Sequence, residues 1–184
     1  MSLTGYFLAD DFAYIRLYGA KRLSEFPAGF FENSAPGIWG VNPGELRPVR
    51  GLTYWLDFQL WGMNPYGYHL SNLMIYLLAT AGLYFLLREI NHGLWKSAPG
   101  PAPARAGTGP GGHLPAISAA LGAAVFLLHP SHAETIVWIT GRVDSLAALF
   151  YFFALYCLVR FWNTGQAGWL LAGDAILVAG LVFV

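Results

Sequence analysis

The sequence is poor in charge and nearly devoid of cysteine. Asp, Glu, Lys and Arg make up 11% of its 184 residues, less than half of the roughly 25% usual in soluble domains. Its ten basic residues are matched by ten acidic ones, so there is no net positive field to attract nucleic acid, and no nucleic-acid partner is expected. A single cysteine, Cys157, excludes both a disulfide framework and a cysteine-based zinc site.

What the chain has instead is apolar surface. Hydrophobic residues make up 56% of the sequence and aromatic residues 16%, which excludes a disordered polar chain. Residues 58–87, 106–133 and 145–159 contain no Asp, Glu, Lys or Arg. Long stretches without charge are what the hydrocarbon core of a bilayer requires. The sequence therefore predicts an all-α fold, a polytopic transmembrane helix bundle with interfacial helices, and the lipid bilayer as its surroundings.

The apolar runs alternate with polar and turn-rich stretches. Residues 1–68 carry charges, turn formers and many aromatics, as expected of a loop region with interfacial helices on a membrane surface. Residues 97–116 contain five prolines and five glycines, which predicts a flexible loop over 91–113. The remaining segments are predicted membrane helices at 69–90, 114–130 and 146–162, a loop or short helix at 131–145, and the start of a further membrane helix at 168–184.

Within the first segment, residues 50–61 have the pattern of an interfacial helix. Helical spacing places Leu52, Trp55, Leu56 and Leu60 on one face, and Arg50, Thr53 and Asp57 on another. An amphipathic helix of this kind lies in the plane of the membrane surface.

The two ends of the sequence predict a fragment of a longer membrane protein. Residues 1–8 lack the charged start and long apolar run of a signal peptide. Residues 175–184 finish without the aromatic or basic residues that normally close a span. Counting basic residues alone would place residues 1–68 inside the cell, although loops of about 60 residues follow that rule poorly.

Two adjacent acids, Asp10 and Asp11, lie between the apolar segments 6–8 and 12–15. A carboxylate beside aromatic residues at a membrane surface is desolvated, which raises its basicity. Such a group is suited to take a proton from an acceptor hydroxyl, while its neighbour holds a cation or a donor hydroxyl. Alternatively, Asp10 is the N-cap of a helix that begins at Asp11. Because there are two acids, both interpretations can hold.

The segment His-Pro-Ser-His-Ala-Glu at 129–134 has the residue types of a metal or phosphate site. His132 and Glu134 are its candidates for binding a ligand or an acceptor. The alternative is a capping box, with Ser131 as the N-cap and Glu134 at the third position of a short helix.

Gly-Arg-Val-Asp at 141–144 precedes a predicted span. Asp144 is placed to cap that helix and to complement its dipole. The guanidinium of Arg142 can hold a lipid phosphate with two hydrogen bonds, or can extend to the lipid headgroups without a specific partner. Arg47, in Leu-Arg-Pro-Val-Arg at 46–50, allows the same two interpretations.

Polar residues inside the predicted spans suggest a second function class. His69, Asn72 and Tyr76 follow one another at spacings of three and four and form one polar stripe, which serves helix packing or contacts a substrate. Together with Asp174 and His132, the stripe would suit a transporter or flippase. A non-catalytic membrane scaffold is the third alternative.

The order of these motifs resembles a known family. Gly-Met-Asn-Pro-Tyr-Gly-Tyr-His-Leu at 62–70 opens a span, and it is followed by the segments at 129–134 and 141–144. The pattern resembles GT-C membrane glycosyltransferases, and among them the O-mannosyltransferase-like proteins that join a membrane domain to tetratricopeptide repeats. The resemblance covers most of residues 7–184, although no repeat period and no helix before the acidic pair is present.

The resemblance implies transfer of a mannose-like sugar from a polyprenyl-phosphate donor to a hydroxyl acceptor such as a protein Ser or Thr. It implies Asp10 or Asp11 as the base and inversion at the anomeric carbon. It also implies substrate-binding roles for Arg47, His132, Glu134, Arg142 and Asp144, and a Mg²⁺ or Mn²⁺ ion held by Asp10 and Glu134. No phosphate loop is present, so no nucleotide cofactor is expected.

Similarity to this family further implies that residues 1–68 and 131–145 lie outside the cytoplasm. The membrane would be the inner membrane of a bacterium or the endoplasmic reticulum of a eukaryote. Because parts of the family's membrane domain are missing, we expect the 184 residues alone to be inactive.

Overall fold

The computed structural model describes residues 6–8, 11–25, 48–97 and 113–183, and every regular element in these ranges is helical. The helices are α1 Asp11–Gly19, α2 Pro48–Trp61, α3 Pro65–Ser97, α4 Leu114–Leu128, α5 Ala133–Val137, α6 Arg142–Thr164 and α7 Ala167–Phe183. Short 3-10 turns lie at Leu23–Glu25, Pro130–His132 and Ile139–Gly141. The predicted all-α fold is confirmed.

Two helical segments of the described chain are long and apolar enough to cross a membrane, Pro65–Leu94 and Ile139–Thr164. A third span results if Leu114–Leu128 and Pro130–Val137 act together, and Ala167–Leu181 is a shorter apolar helix. On α4, the exposed large hydrophobic side chains are those of Leu114, Ile117, Leu121, Val125 and Leu128. Their spacing of three or four puts them on one face, as expected of a helix that contacts lipid. The chain is therefore a helical membrane protein.

The helix ends follow local chain chemistry. Pro65 begins α3, where a missing N–H costs no hydrogen bond, and the Asn64 side chain accepts a bond from the Tyr66 N–H at 3.2 Å. Gly62 precedes this start with a φ of 56°, a conformation that favours glycine. The helix α6 begins at Arg142, four residues before the predicted span, and Arg142 and Ser145 in this added turn are buried within the protein.

The chain divides into two compact units. The first unit is Met1–Tyr76, Ser131–Ala148 and Val178–Val184, and the second is Leu77–Pro130 and Leu149–Leu177.

In the first unit, α1 packs against α2 around a buried cluster that includes Ile15, Tyr54 and Tyr68. The two helices approach closely where α1 ends. A Cβ atom added to Gly19 would lie 2.5 Å from the ring of Phe58. Glycine is therefore required here by the space between the helices.

The faces of α2 are inverted relative to a helix of a soluble protein. Arg50 and Asp57, from its polar face, are buried, whereas Leu56 and Leu60 from its apolar face are exposed. In a membrane the apolar face can contact lipid, and the polar face then finds its partners in the protein. This arrangement fits the predicted interfacial helix.

In the second unit, small residues allow close helix packing. A Cβ atom at Gly82 of α3 would lie 2.9 Å from the ring of Phe153 on α6, and one at Gly173 of α7 would lie 3.1 Å from the Cβ of Cys157. Such close approach is typical of helices packed within a membrane.

We expect Gly19→Ala to destabilise the protein by about 1 to 3 kcal/mol, because the added methyl group overpacks the contact with Phe58. Thermal unfolding in detergent measures the effect. The matched control is Gly168→Ala, where an added Cβ meets nothing within 4 Å. Its effect should stay below about 1 kcal/mol. Equal stability of the two variants would contradict the close packing of α1 on α2.

Candidate functional site

Asp11, at the start of α1, is almost fully buried, with a relative exposure of 1%. Its Oδ2 accepts a hydrogen bond from the Leu8 N–H at 2.9 Å. Its Oδ1 accepts bonds from the Thr140 N–H at 3.1 Å and from the Thr140 hydroxyl at 2.6 Å. Both oxygens are therefore engaged inside the protein, and the negative charge lies favourably at the N-terminal end of a helix.

Thr140, the partner of Asp11, lies in the turn Ile139–Gly141, between the motifs at 129–134 and 141–144. Gly141 is needed there because an added Cβ would lie 3.1 Å from the Cα and 3.2 Å from the carbonyl oxygen of Thr135. This contact holds the turn against α5. Asp11 thus connects the acidic pair to the region between positions 132 and 142.

Arg142 begins α6 and its side chain has no solvent exposure. Its Nη2 lies 2.7 Å from Oδ2 of Asp57, and its Nη1 donates a hydrogen bond of 3.2 Å to the Thr53 hydroxyl. The guanidinium also lies over the ring of Tyr54, 4.5 Å from its centroid. Binding a phosphate through Arg142 would require this buried arrangement to open, so the structure corrects the picture of a guanidinium exposed at the lipid headgroups.

Asp57 is the counterion that holds Arg142. Its Oδ1 accepts a hydrogen bond of 2.6 Å from the Ser71 hydroxyl, so both of its oxygens have partners. Burial raises the pKa of Asp57 above its usual range, and Arg142 and Ser71 oppose the rise because both favour the carboxylate.

Three tyrosine rings separate the buried arginines of this unit. Tyr14, Tyr18 and Tyr54 lie nearly parallel, with centroids between 6.0 and 6.5 Å apart. Arg50 lies over Tyr14 at 4.5 Å. Burial raises the pKa of Tyr54 to about 12, although Arg142 and Arg50 favour its ionised form. Tyr54 therefore stays neutral and donates a hydrogen bond of 3.4 Å to the Ile139 carbonyl.

The polar stripe of α3 packs against the same region. Asn72 is fully buried and donates hydrogen bonds to the carbonyl groups of Trp138 and Ile139, at 3.1 and 3.3 Å. The Tyr76 hydroxyl lies 2.8 Å from Nδ1 of His132, and the two rings meet edge to face. The interpretation of the stripe as a packing surface is confirmed.

His132 is partly buried and Glu134 is exposed. The predicted capping box is wrong, because the N-cap of α5 is His132 rather than Ser131 and no side chain bonds the cap. The Pro130–His132 turn occupies the place where a Ser131 cap would begin the helix. The expected cap by Asp144 is wrong, because α6 already begins at Arg142 and Asp144 is its third residue. Asp144 is exposed in this first turn, where its charge complements the helix dipole.

Two predicted site residues, Asp10 and Arg47, lie outside the described residues. Among those described, no group of three or more His, Cys, Asp or Glu side chains is placed to hold a metal ion. Glu134 is exposed, and Asp11 is already bonded to Leu8 and Thr140. The described residues therefore do not supply a set of ligands for a divalent cation.

Sequence reasoning missed the partners that hold the site together. Asp57 pairs with Arg142, and Thr140 bonds Asp11, across 129 residues in the second case. The one signal available for Asp57 was its place on the polar face of α2 with Arg50 and Thr53, since a polar face on a membrane helix needs polar partners. For Thr140 the sequence held no signal.

Comparison with known proteins tests the family resemblance that the sequence motifs suggest. The chain is 28% identical over 177 residues to protein O-mannosyl-transferase TMTC1 of Homo sapiens, covering 91% of this chain and 17% of that protein. It is 27% identical over 151 residues to protein O-mannosyl-transferase Tmtc1 of Drosophila melanogaster, covering 79% and 15%. Protein O-mannosyl-transferase TMTC2 of Mus musculus is 28% identical over 120 residues, covering 64% and 12%. The resemblance to O-mannosyltransferase-like proteins is thereby confirmed.

The chain spans less than a fifth of the length of these curated relatives. No family model matches it. No solved structure matches it either.

We expect Asp57→Asn to destabilise the protein by about 3 to 5 kcal/mol, because it leaves the buried guanidinium of Arg142 without its counterion. Chemical or thermal unfolding in detergent measures the change. The control is Asp144→Asn at an exposed carboxylate, which should cost less than about 1 kcal/mol. A cost for Asp57→Asn no larger than that of the control would show that the buried pair does not hold the first unit.

Proposed function

We propose that the protein carrying this chain is a membrane glycosyltransferase that moves a mannose-like sugar from a polyprenyl-phosphate donor to a hydroxyl acceptor, such as a protein Ser or Thr. The observation that carries the proposal is similarity to protein O-mannosyl-transferases over up to 91% of the chain. Of the motif segments that carry the resemblance, residues 62–70, 131–134 and 141–144 belong to the first unit.

The proposal gives different roles to the two acids of the pair. The carboxylate of Asp11 is buried and bonded to Thr140 and Leu8, so Asp11 acts as a positioning residue. Asp10 precedes it directly in the sequence and takes the role of the base. The acceptor hydroxyl attacks the anomeric carbon, the bond to the lipid phosphate breaks, and Asp10 receives the hydroxyl proton. In-line displacement inverts the anomeric carbon.

The remaining site residues have supporting roles. His132 and Glu134, both in the segment 129–134, contact the acceptor or the sugar. Nδ1 of His132 lies 2.8 Å from the Tyr76 hydroxyl, and Glu134 is exposed. Arg47 and the exposed Asp144 contribute to binding the donor, with Arg47 on the lipid phosphate. Arg142 supports this site from within through Asp57. A Mg²⁺ or Mn²⁺ ion at this site would depend on Asp10 as a ligand. The membrane would be the inner membrane of a bacterium or the endoplasmic reticulum of a eukaryote.

We expect Asp10→Asn to lower transfer by about 10²- to 10⁴-fold, because the amide cannot accept the hydroxyl proton. The measurement is transfer from a polyprenyl-phosphate mannose to an acceptor peptide by the reconstituted full-length protein. Wild-type turnover by this variant would remove Asp10 from the mechanism.

The variant Asp174→Asn serves as the control and tests the transporter alternative. Asp174 lies on α7 in the second unit and is exposed. A transferase should tolerate the loss of this carboxylate, whereas a transporter that uses a polar path through Asp174 should tolerate Asp10→Asn instead. Loss of function in Asp174→Asn together with retained function in Asp10→Asn would therefore favour transport.

We expect Thr140→Val to lower the kcat of transfer about tenfold with little change in KM, because it removes the hydroxyl that orients Asp11 at 2.6 Å. The matched variant Thr140→Ser keeps the hydroxyl and should restore the rate. Steady-state kinetics on the same reconstituted protein makes the comparison. Equal loss in both variants would point to packing of the threonine methyl group and would overturn the positioning role of Asp11.

A further inference from the structure

A second polar site lies in the second unit and shares no residue with the proposed transferase site. It is a cavity of about 220 Å³ lined by Phe85, Arg88, Glu89, His92, Tyr156 and Arg160. Two helices form it, α3 and α6. Its lining is rich in nitrogen donors, with two guanidinium groups and an imidazole facing one small space.

The cavity has an excess of positive charge. Glu89 is the one acid among its lining residues. Arg160 neutralises part of the negative charge of Glu89, with Arg160 Nη1 3.3 Å from Glu89 Oε2. Asn163 donates a hydrogen bond of 2.9 Å to Glu89 Oε1. Both oxygens of Glu89 are thus engaged, and among the described residues no carboxylate lies within ion-pair distance of Arg88.

The position of the cavity along the helices sets the depth of the site. Arg88 and His92 lie in the last two turns of the span Pro65–Leu94, four residues apart and so on one helix face. Arg160 lies close to the end of the span Ile139–Thr164. The cavity therefore lies where two spans leave the hydrocarbon, at the level of the lipid headgroups.

Aromatic rings fix one side of the cavity. Arg160 lies over the ring of Trp169 at 5.2 Å, and Tyr156 meets Trp169 edge to face at 6.0 Å. Tryptophan and tyrosine favour this depth in a membrane because one part of each ring is apolar and another is polar. The contacts hold the Arg160 guanidinium in place before a ligand arrives.

We propose that this cavity binds a phosphate group, presented by an anionic lipid headgroup or as free phosphate. Arg88 and His92 donate to the phosphate oxygens from one wall, and Arg160 supplies positive charge from the other. Basic cavities between spans are suited to anionic headgroups. The proposal uses none of the residues of the transferase site, so either one can fail without the other.

The test uses the full chain purified in detergent and native mass spectrometry to count retained lipid. The probes are phosphatidylglycerol, phosphatidylcholine and inorganic phosphate. We expect wild-type protein to retain phosphatidylglycerol at least tenfold more than phosphatidylcholine, and Arg88→Gln to lose that preference. Arg88 is exposed, so its replacement leaves the fold intact, which an unchanged melting temperature without ligand verifies. The control is Arg16→Gln, at an exposed arginine of the first unit.

The outcomes separate the two sources of phosphate. Lipid retention that depends on Arg88 but not on Arg16 supports a headgroup site. A rise in the melting temperature with inorganic phosphate alone, absent in Arg88→Gln, supports a site for free phosphate. Equal retention by wild type and Arg88→Gln with no effect of phosphate overturns the proposal. Equal loss in Arg88→Gln and Arg16→Gln also overturns it, because net charge alone would then explain binding.

Discussion

The first unit depends on how it accommodates a positive charge with no access to solvent. The guanidinium of Arg142 is stabilised by Asp57, Thr53 and Tyr54. All three lie within one turn of α2, so that face of the helix must point into the protein. Leu56 and Leu60 of the same helix are exposed. The guanidinium of Arg142 therefore determines the rotation of α2 about its own axis. Any other rotation would leave this buried charge without its partners, at a high cost in free energy.

The same constraint extends to Asp11. Thr140, which bonds Asp11, comes two residues before Arg142 and is held in place with it. From α3, Asn72 bonds the carbonyl groups of Trp138 and Ile139, which directly precede Thr140. The motif residues between 132 and 142 thus receive polar support from three helices, and much of their role is to build the framework. Glu134, by contrast, remains exposed.

The sequence allowed the helical membrane fold to be predicted because that fold follows from local properties. Charge-free runs mark the spans, and Pro130 together with His129 marks the end of α4. The faces of α2 could also be predicted, but not which one is buried, since lipid and protein interior are both apolar and hydrophobic spacing alone does not distinguish them. The pairing of Arg142 with Asp57 depends on contacts between residues far apart in the chain. No local pattern encodes such a contact, so Arg142 was expected at the headgroups.

The two units place their charged groups differently. In the first unit, Arg142 and Asp57 are removed from solvent and neutralise each other. In the second, Arg88 and His92 remain exposed at the end of a span. Buried charges of the first kind hold one geometry, whereas exposed charges of the second kind can exchange partners.

The hydrogen bonds between Asp11 and Thr140 join residues 129 positions apart, which has a consequence for biosynthesis. At about 5 to 20 residues per second, the ribosome makes Thr140 on the order of 10 s after Asp11. During that interval the carboxylate has no such donor and must remain hydrated. The first unit therefore closes late in translation, after α3 and α4 have been made.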